Sequence, residues 1–259
     1  MEPWRILAEK RLKGIGKVIL VGSGKGGVGK SLIAAATAAA LGEKGYRVGV
    51  FDLDIHGPSI PRLFGIEGGR VKLRGSKEGL LPVEAGPVRV MSVEFLVGSN
   101  PVPLRGNAKT EVIEDLISNT HWGELDYLVV DLPPGTGDEV LLPLRVYRGH
   151  RHGFLVVATP SILSIHVVRR LITLLLDERV AIEGVVENMS TLPTGERHPG
   201  SDMLKALARE YGVPVIAEIP YDPSLETVLL RGGSLREAEV FWSSVTRLAE
   251  ALSGSGAAH

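Results

Sequence analysis

The chain of 259 residues contains no cysteine. Disulfides and thiolate metal sites built from this chain alone are therefore excluded. It also lacks a charge imbalance: 29 Lys and Arg stand against 30 Asp and Glu, for a formal net charge of −1. That balance offers nothing for bulk nucleic-acid binding. No apolar run approaches the roughly 20 residues of a membrane span. The stretch from Met1 to Lys13 mixes acidic and basic residues and has no apolar signal core. No internal repeat is present, and no linker is long enough to divide the chain. The expectation is a cytoplasmic protein that binds neither membrane nor nucleic acid. It would form one domain over residues 1–252, with 1–13 as an N-terminal helical extension and 253–259 as a flexible tail.

What the chain has in surplus is glycine, 32 residues of 259, about 12% against an ordinary ~7%. The surplus suits tight βα turns and loops that approach phosphate. Short apolar runs alternate with helical patterns, the sign of βαβ units. The expected fold class is α/β, a mostly parallel twisted sheet with helices on both faces. Strands are expected at 18–21, 48–52, 88–93, 127–131, 154–158, 182–187 and 215–219. Helices are expected at 31–44, 109–118, 162–177, 202–211 and 236–252. Residues 65–86, rich in glycine and charge, read as an irregular or hairpin insertion, and 195–200 as an exposed loop.

The motif that decides most is Gly22-Ser23-Gly24-Lys25-Gly26-Gly27-Val28-Gly29-Lys30-Ser31. It sits between an apolar run and an alanine-rich helical stretch that begins at Leu32. Gly24 to Ser31 fits the phosphate-binding loop, a Gly, four residues, then Gly-Lys-Ser. Such a loop turns backbone N–H groups onto anionic oxygens at a helix N-terminus. Lys30 neutralises phosphate charge and the Ser31 hydroxyl ligates Mg²⁺. Lys25 is a second lysine that an ordinary phosphate loop does not require.

Two aspartate sites follow. Asp52 and Asp54 alternate where a strand leaves the sheet, so one could orient a water while the other holds Mg²⁺ through its hydration shell. Read alone they fit equally well as turn formers before Gly57-Pro58; the upstream loop favours the functional reading. Tyr127 to Asp131 is an apolar strand ending in Asp, the usual companion of a phosphate loop, and Asp131 is expected to hold the Mg²⁺ or its waters. Pro133, Pro134, Gly135 and Gly137 make a constrained turn placed to sense the γ-phosphate. A base-binding end is weaker. Asn188 offers an amide for an adenine edge, and the backbone of Pro220, Tyr221 and Asp222 would flank the ring. By their residues alone both segments read as capped loops.

These blocks resemble a known family. Lys25 to Ser31 is similar to the deviant Walker A motif, and 52–61, 131–138 and 186–190 resemble the corresponding blocks of Mrp/NBP35-type ATPases of the MinD/ParA class. Pro103-Leu104-Arg105-Gly106 is similar to that family's arginine-glycine block. The resemblance covers residues 14–250. It implies a P-loop ATPase that uses ATP and Mg²⁺ and dimerises around the nucleotide. Gly24 through Leu32, Asn188 and Pro220 to Asp222 would then contact the nucleotide. Lys25 would reach the partner subunit's phosphates. Asp54 would position the attacking water with Asp52 in support, and Ser31, Asp52 and Asp131 would serve the metal. The implied partners are a second copy of the chain and a metallochaperone or apo-metalloprotein client.

The chain departs from this pattern where iron–sulfur carriers of the family have a Cys-x-x-Cys pair. Here the stretch is Thr191-Leu192-Pro193-Thr194-Gly195-Glu196-Arg197-His198. Without thiolates the usual bridging cluster has no ligands from this chain. A cysteine-free branch, the archaeal nickel-insertion factors of hydrogenase maturation, resembles this chain at 54–57, 103–106 and 122–131. Iron–sulfur and nickel assembly both stay open at this point. A positioning switch that binds membrane or DNA in an ATP-dependent way is the alternative from another class. The last helix carries Phe241, Val245, Leu248 and Leu252 at helical spacing and is expected to pack in the core rather than on a membrane.

Overall fold

Each of the seven expected strands is present in the computed structural model, and together they place three acidic or phosphate-binding turns side by side. The structure describes residues 3–97 and 108–254. The Pro103–Gly106 block and residues 255–259 of the expected tail lie outside the described residues. The strands are β1 (Ile15–Gly22), β2 (Val48–Asp52), β3 (Arg74–Ser76), β4 (Gly79–Leu81), β5 (Val83–Ala85), β6 (Val88–Ser92), β7 (Leu125–Asp131), β8 (His152–Ala158), β9 (Ile182–Asn188) and β10 (Val215–Ile219). The helices are α1 (Pro3–Leu12), α2 (Lys30–Glu43), α3 (Ile60–Leu63), α4 (Glu94–Val97), α5 (Ala108–Asn119), α6 (Asp138–Tyr147), α7 (Ile162–Asp177), α8 (Ser201–Glu210), α9 (Pro223–Leu230) and α10 (Glu239–Gly254).

The main sheet has eight strands in the order β10-β9-β8-β1-β7-β2-β6-β5. Its pairs are parallel except for β5 with β6. Helices on both faces leave the central strands no solvent side, which explains their unbroken apolar runs. Ile19, Leu20 and Val21 of β1 are fully buried, each worth on the order of 1.5–3 kcal/mol of apolar burial. The alanines of α2 favour the helix and are small enough for a close approach to the sheet; Ala34, Ala35, Ala36 and Ala38 are fully buried. Helix α10 packs against both α2 and β10, and its Phe241, Val245, Leu248 and Leu252 are buried as their spacing requires.

Several boundaries differ from the expectation. The expected last helix at 236–252 is two pieces. Ser234 and Glu237 form a capping box around a 3-10 turn at Leu235–Glu237, and α10 starts afresh at Glu239. Ser253 and Gly254, expected in the tail, end α10, and the Ser253 hydroxyl donates to Ala249 O. Helix α6 was not expected, because Pro143 lies inside it and proline removes a helical hydrogen bond. Helix α9 was missed although its signals are present: Asp222 caps it and Pro223 opens it. Of the 65–86 insertion, β3 and β4 form a hairpin, while β5 joins the main sheet. The N-terminal helix α1 buries Ala8 and Leu12 and is tied to α5 by Arg11 Nε donating to Ser118 O at 3.1 Å.

Candidate functional site

The site lies at the carboxyl ends of β1, β7 and β2, where ligands bind in open α/β sheets. The register makes this placement exact to the residue: Val21 of β1 pairs with Asp131 of β7, and Asp131 pairs with Asp52 of β2. The chain leaves β1 into the phosphate loop and enters α2 at Lys30. Gly27 and Gly29 have φ of 77° and 84°, left-handed values that glycine adopts without penalty. Gly29 has a second constraint, since a Cβ there would lie 2.3 Å from Asn188 Nδ2. Over Gly26 and Gly27 a Cβ would meet nothing within 4 Å. No side chain caps the N-terminus of α2. Its first N–H groups are thus available to an anion.

Lys30 is 6% exposed, with its ammonium 2.6 Å from Asp131 Oδ1 and 3.4 Å from Asp54 Oδ2. Burial works against its charge, but Asp131 and then Asp54 outweigh it, and the Lys30 pKa is raised. Asp131 is fully buried. Burial raises its pKa, with the Lys30 ammonium opposing. Its Oδ2 is buried without a hydrogen-bond partner, so one oxygen remains for a cation or its water. With the Ser31 hydroxyl 3.1 Å from Lys30 Nζ, the oxygen donors fit Mg²⁺, a hard cation that keeps several waters.

Asp52 and Asp54 differ in their surroundings. Asp52 is fully buried, and burial followed by the Asp131 charge pushes its pKa up to about 8. It accepts from the Asp54 N–H at 3.2 Å, the Ile60 N–H at 3.3 Å and the Ser92 hydroxyl at 3.0 Å. That is the setting of a support that fixes the turn. Asp54 is 7% exposed and lines the cleft. Ser92 was not singled out in the sequence. Its signal is a polar residue ending the otherwise apolar end of β6, in register with Asp52. Gly135 N–H donates to Ser23 O at 2.8 Å, which ties the turn after Asp131 to the phosphate loop. Together these groups enclose an open cleft of ≈ 460 Å³ lined by Gly26, Gly27, Lys30, Ser31 and Asp54 among others. Lys25 is half-buried beside it.

The residues expected beside adenine have definite structural tasks. Asn188 is 4% exposed, and its Nδ2 donates to Val28 O at 2.9 Å, bracing the phosphate loop. Asp222 caps α9 through Ser224 and accepts from Phe241 N–H at 3.0 Å. Burial opposes but these donors prevail, and its pKa is lowered. Tyr221 N–H donates to Thr191 Oγ1 at 3.1 Å. In the loop where cysteines were expected for a carrier, His198 Nδ1 accepts from Gly200 N–H at 3.1 Å.

Residues 14–251 match the family model described as ParA, NUBPL iron-transfer P-loop NTPase. An iron-sulfur cluster carrier protein of Saccharolobus solfataricus is 38% identical over 84% of this chain and 75% of its own length. The carrier protein of Aquifex aeolicus is 36% identical over 85% of this chain; the match spans 62% of that relative's length. The cytosolic Fe-S cluster assembly factor CFD1 of Kluyveromyces lactis is 38% identical over 88% of this chain and 85% of its own. Among solved structures, a nucleotide-binding protein of Archaeoglobus fulgidus in complex with ADP superposes with a TM-score of 0.77 at 39% identity, covering 92% of this chain and 95% of that one. The MinD cell-division ATPase of Pyrococcus furiosus shares the fold, with a TM-score of 0.68 at 22% identity over 93% of this chain and 99% of its own.

Proposed function

We propose, from the premise that the chain belongs to the ParA-type, NUBPL iron-transfer P-loop NTPase family, that it binds and hydrolyses ATP with Mg²⁺ as a homodimer and serves metal-cofactor assembly in the cytoplasm. The observation that carries this reading is Lys30 held between Asp131 and Asp54 at the open face of the phosphate loop.

The residues divide the work by position. Gly24 to Leu32 cradle the phosphates through backbone N–H groups and the α2 N-terminus. Lys30 turns from its carboxylates to the β- and γ-phosphates. Ser31 and Asp131 would hold the Mg²⁺, which would supply charge neutralisation to the bound phosphates. Asp54 orients the attacking water, and Asp52 keeps the Asp54 turn in place. Lys25 reaches across the dimer as a charge stabiliser in trans. Asn188 braces the loop from the adenine side, and Pro220 to Asp222 flank the base.

The names of the relatives favour iron–sulfur cargo over nickel. With no cysteine in this chain, the thiolate ligands of any such cluster would come from a metallochaperone or apo-protein partner. The test is ATP turnover with purified protein, together with sedimentation with and without ATP. Lys30→Ala is expected to abolish ATP binding and turnover. Asp54→Asn is expected to bind ATP and fail to hydrolyse it. Normal hydrolysis by either variant would overturn the assignment. Metal analysis of proteins captured from native extract with ATP then reads the cargo: an iron–sulfur scaffold supports this reading, whereas ATP-dependent capture of vesicles or DNA alone refutes it.

A further inference from the structure

Asp54 is held from two sides. Its Oδ2 faces Lys30 at 3.4 Å, and its Oδ1 accepts the His56 N–H at 3.2 Å. The first restraint is lost when the Lys30 ammonium turns to phosphate. Asp52 still pins the Asp54 main chain through the Asp54 N–H, so the aim of the Asp54 carboxylate then depends on the His56 N–H, and the His56 imidazole is half exposed.

His56 is located by two other elements. Lys109, in the first turn of α5, donates from Nζ to Glu139 Oε1 at 3.0 Å and lies 3.2 Å from His56 Nε2. An ammonium has only donors, so in its contact with Lys109 the His56 Nε2 is the acceptor. Glu139 is in the first turn of α6, directly after the turn that follows Asp131, and its Oε2 is 3.5 Å from His56 Nε2. Lys109 and Glu139 are each 24% exposed. A pair this accessible adds little to stability. It nonetheless fixes direction, because one ammonium bridges the segment after Asp54 to the helix after Asp131.

We propose that His56, Lys109 and Glu139 form a clamp that positions Asp54 for hydrolysis by joining the two loops that flank the γ-phosphate. The proposal rests on the hydrolytic reading above. The clamp acts through the His56 main chain, so none of its side chains touches the reacting atoms; all three are positioning residues. Removing the ammonium or its acceptor loosens the His56 N–H and lets the Asp54 carboxylate drift, and a misplacement of about 1 Å costs on the order of 100-fold in rate.

The experiment measures kcat, KM and nucleotide Kd for the full chain with Mg-ATP. Lys109→Met and His56→Leu are expected to lower kcat by about 10- to 100-fold while ATP Kd stays within about twofold. The double variant is expected to be no slower than either single one, the mark of one shared unit. His56→Gln, whose amide oxygen still accepts from Lys109, and Lys109→Arg, which still donates, are expected to recover most of the rate. Wild-type kcat in Lys109→Met, additive losses, or parallel loss of ATP binding would each overturn the clamp while leaving the ATPase reading intact. A wild-type protein that does not hydrolyse ATP removes both.

Discussion

Replacing Lys30 with methionine keeps the length of the side chain and removes its ammonium. The neighbour that suffers most is Asp131, which is fully buried 2.6 Å away. Stripping the partner from a buried ion costs about 3–5 kcal/mol when the remaining charge must stay. Asp131 has an alternative, which is to bind a proton. Its unfolded reference is 3.8, and each pH unit above that costs about 1.4 kcal/mol, so protonation at pH 7 costs roughly 4 kcal/mol. The cheaper route caps the loss at about 4 kcal/mol, or a fall in Tm of about 10 °C for a chain of this size. The sign follows from proton counting. A carboxyl neutral when folded and ionised when unfolded binds more protons in the native state, so stability falls as pH rises above about 4. The Lys30→Met penalty therefore shrinks to under about 2 kcal/mol at pH 5. Urea unfolding of both proteins at pH 5 and pH 7.5 measures this. A penalty below about 1 kcal/mol at pH 7.5, or one equal at the two pH values, would refute the reasoning.

Three further outcomes follow from the same geometry. Asp52, pushed up to about 8 from 3.8, makes wild-type stability decline as pH rises between those values. Asp52→Asn is expected to flatten that decline in a Tm series, and equal slopes would count against it. Asn188→Ala removes the brace to Val28 O and is expected to weaken ATP binding about 5- to 10-fold, the size of one buried hydrogen bond, in a calorimetric titration. Gly29→Ala combines a φ of 84° with a contact of 2.3 Å to Asn188 Nδ2, so its loss of ATP affinity is expected to exceed that of Asn188→Ala. Adding Asn188→Ala to Gly29→Ala is expected to restore part of it by relieving the contact.

The parallel core was legible because buried strands are written as apolar runs and each ends on a recognisable turn. The phosphate loop was legible for the same reason, since spacing alone specifies Gly24 to Ser31. Register was not: nothing in the sequence says that Asp131 pairs with Asp52 on the neighbouring strand, and that pairing brings the turn carrying Asp54 beside Asp131, where both carboxylates meet Lys30. The roles of Ser92 and Asn188 were hidden because hydrogen bonds over 40 and 160 residues of separation leave no local pattern. Helix α6 was hidden by Pro143, a residue whose local penalty tertiary packing overrides. The split before α10 is a matter of caps: Ser234 and Glu237 stop one turn where apolar periodicity alone runs on.

The contact of Lys30 with Asp131 and Asp54 makes nucleotide binding an exchange of cations. Positive charge that Lys30 gives to a phosphate is withdrawn from two carboxylates with little access to water. The buried Asp131, its pKa already raised by burial, then draws compensating charge from solution, as a proton or as a divalent ion. On the proposed reading, affinity for ATP would thereby be linked to pH and to free Mg²⁺ through one thermodynamic cycle. Each loading of the proposed site would then respond to the ionic state of its surroundings.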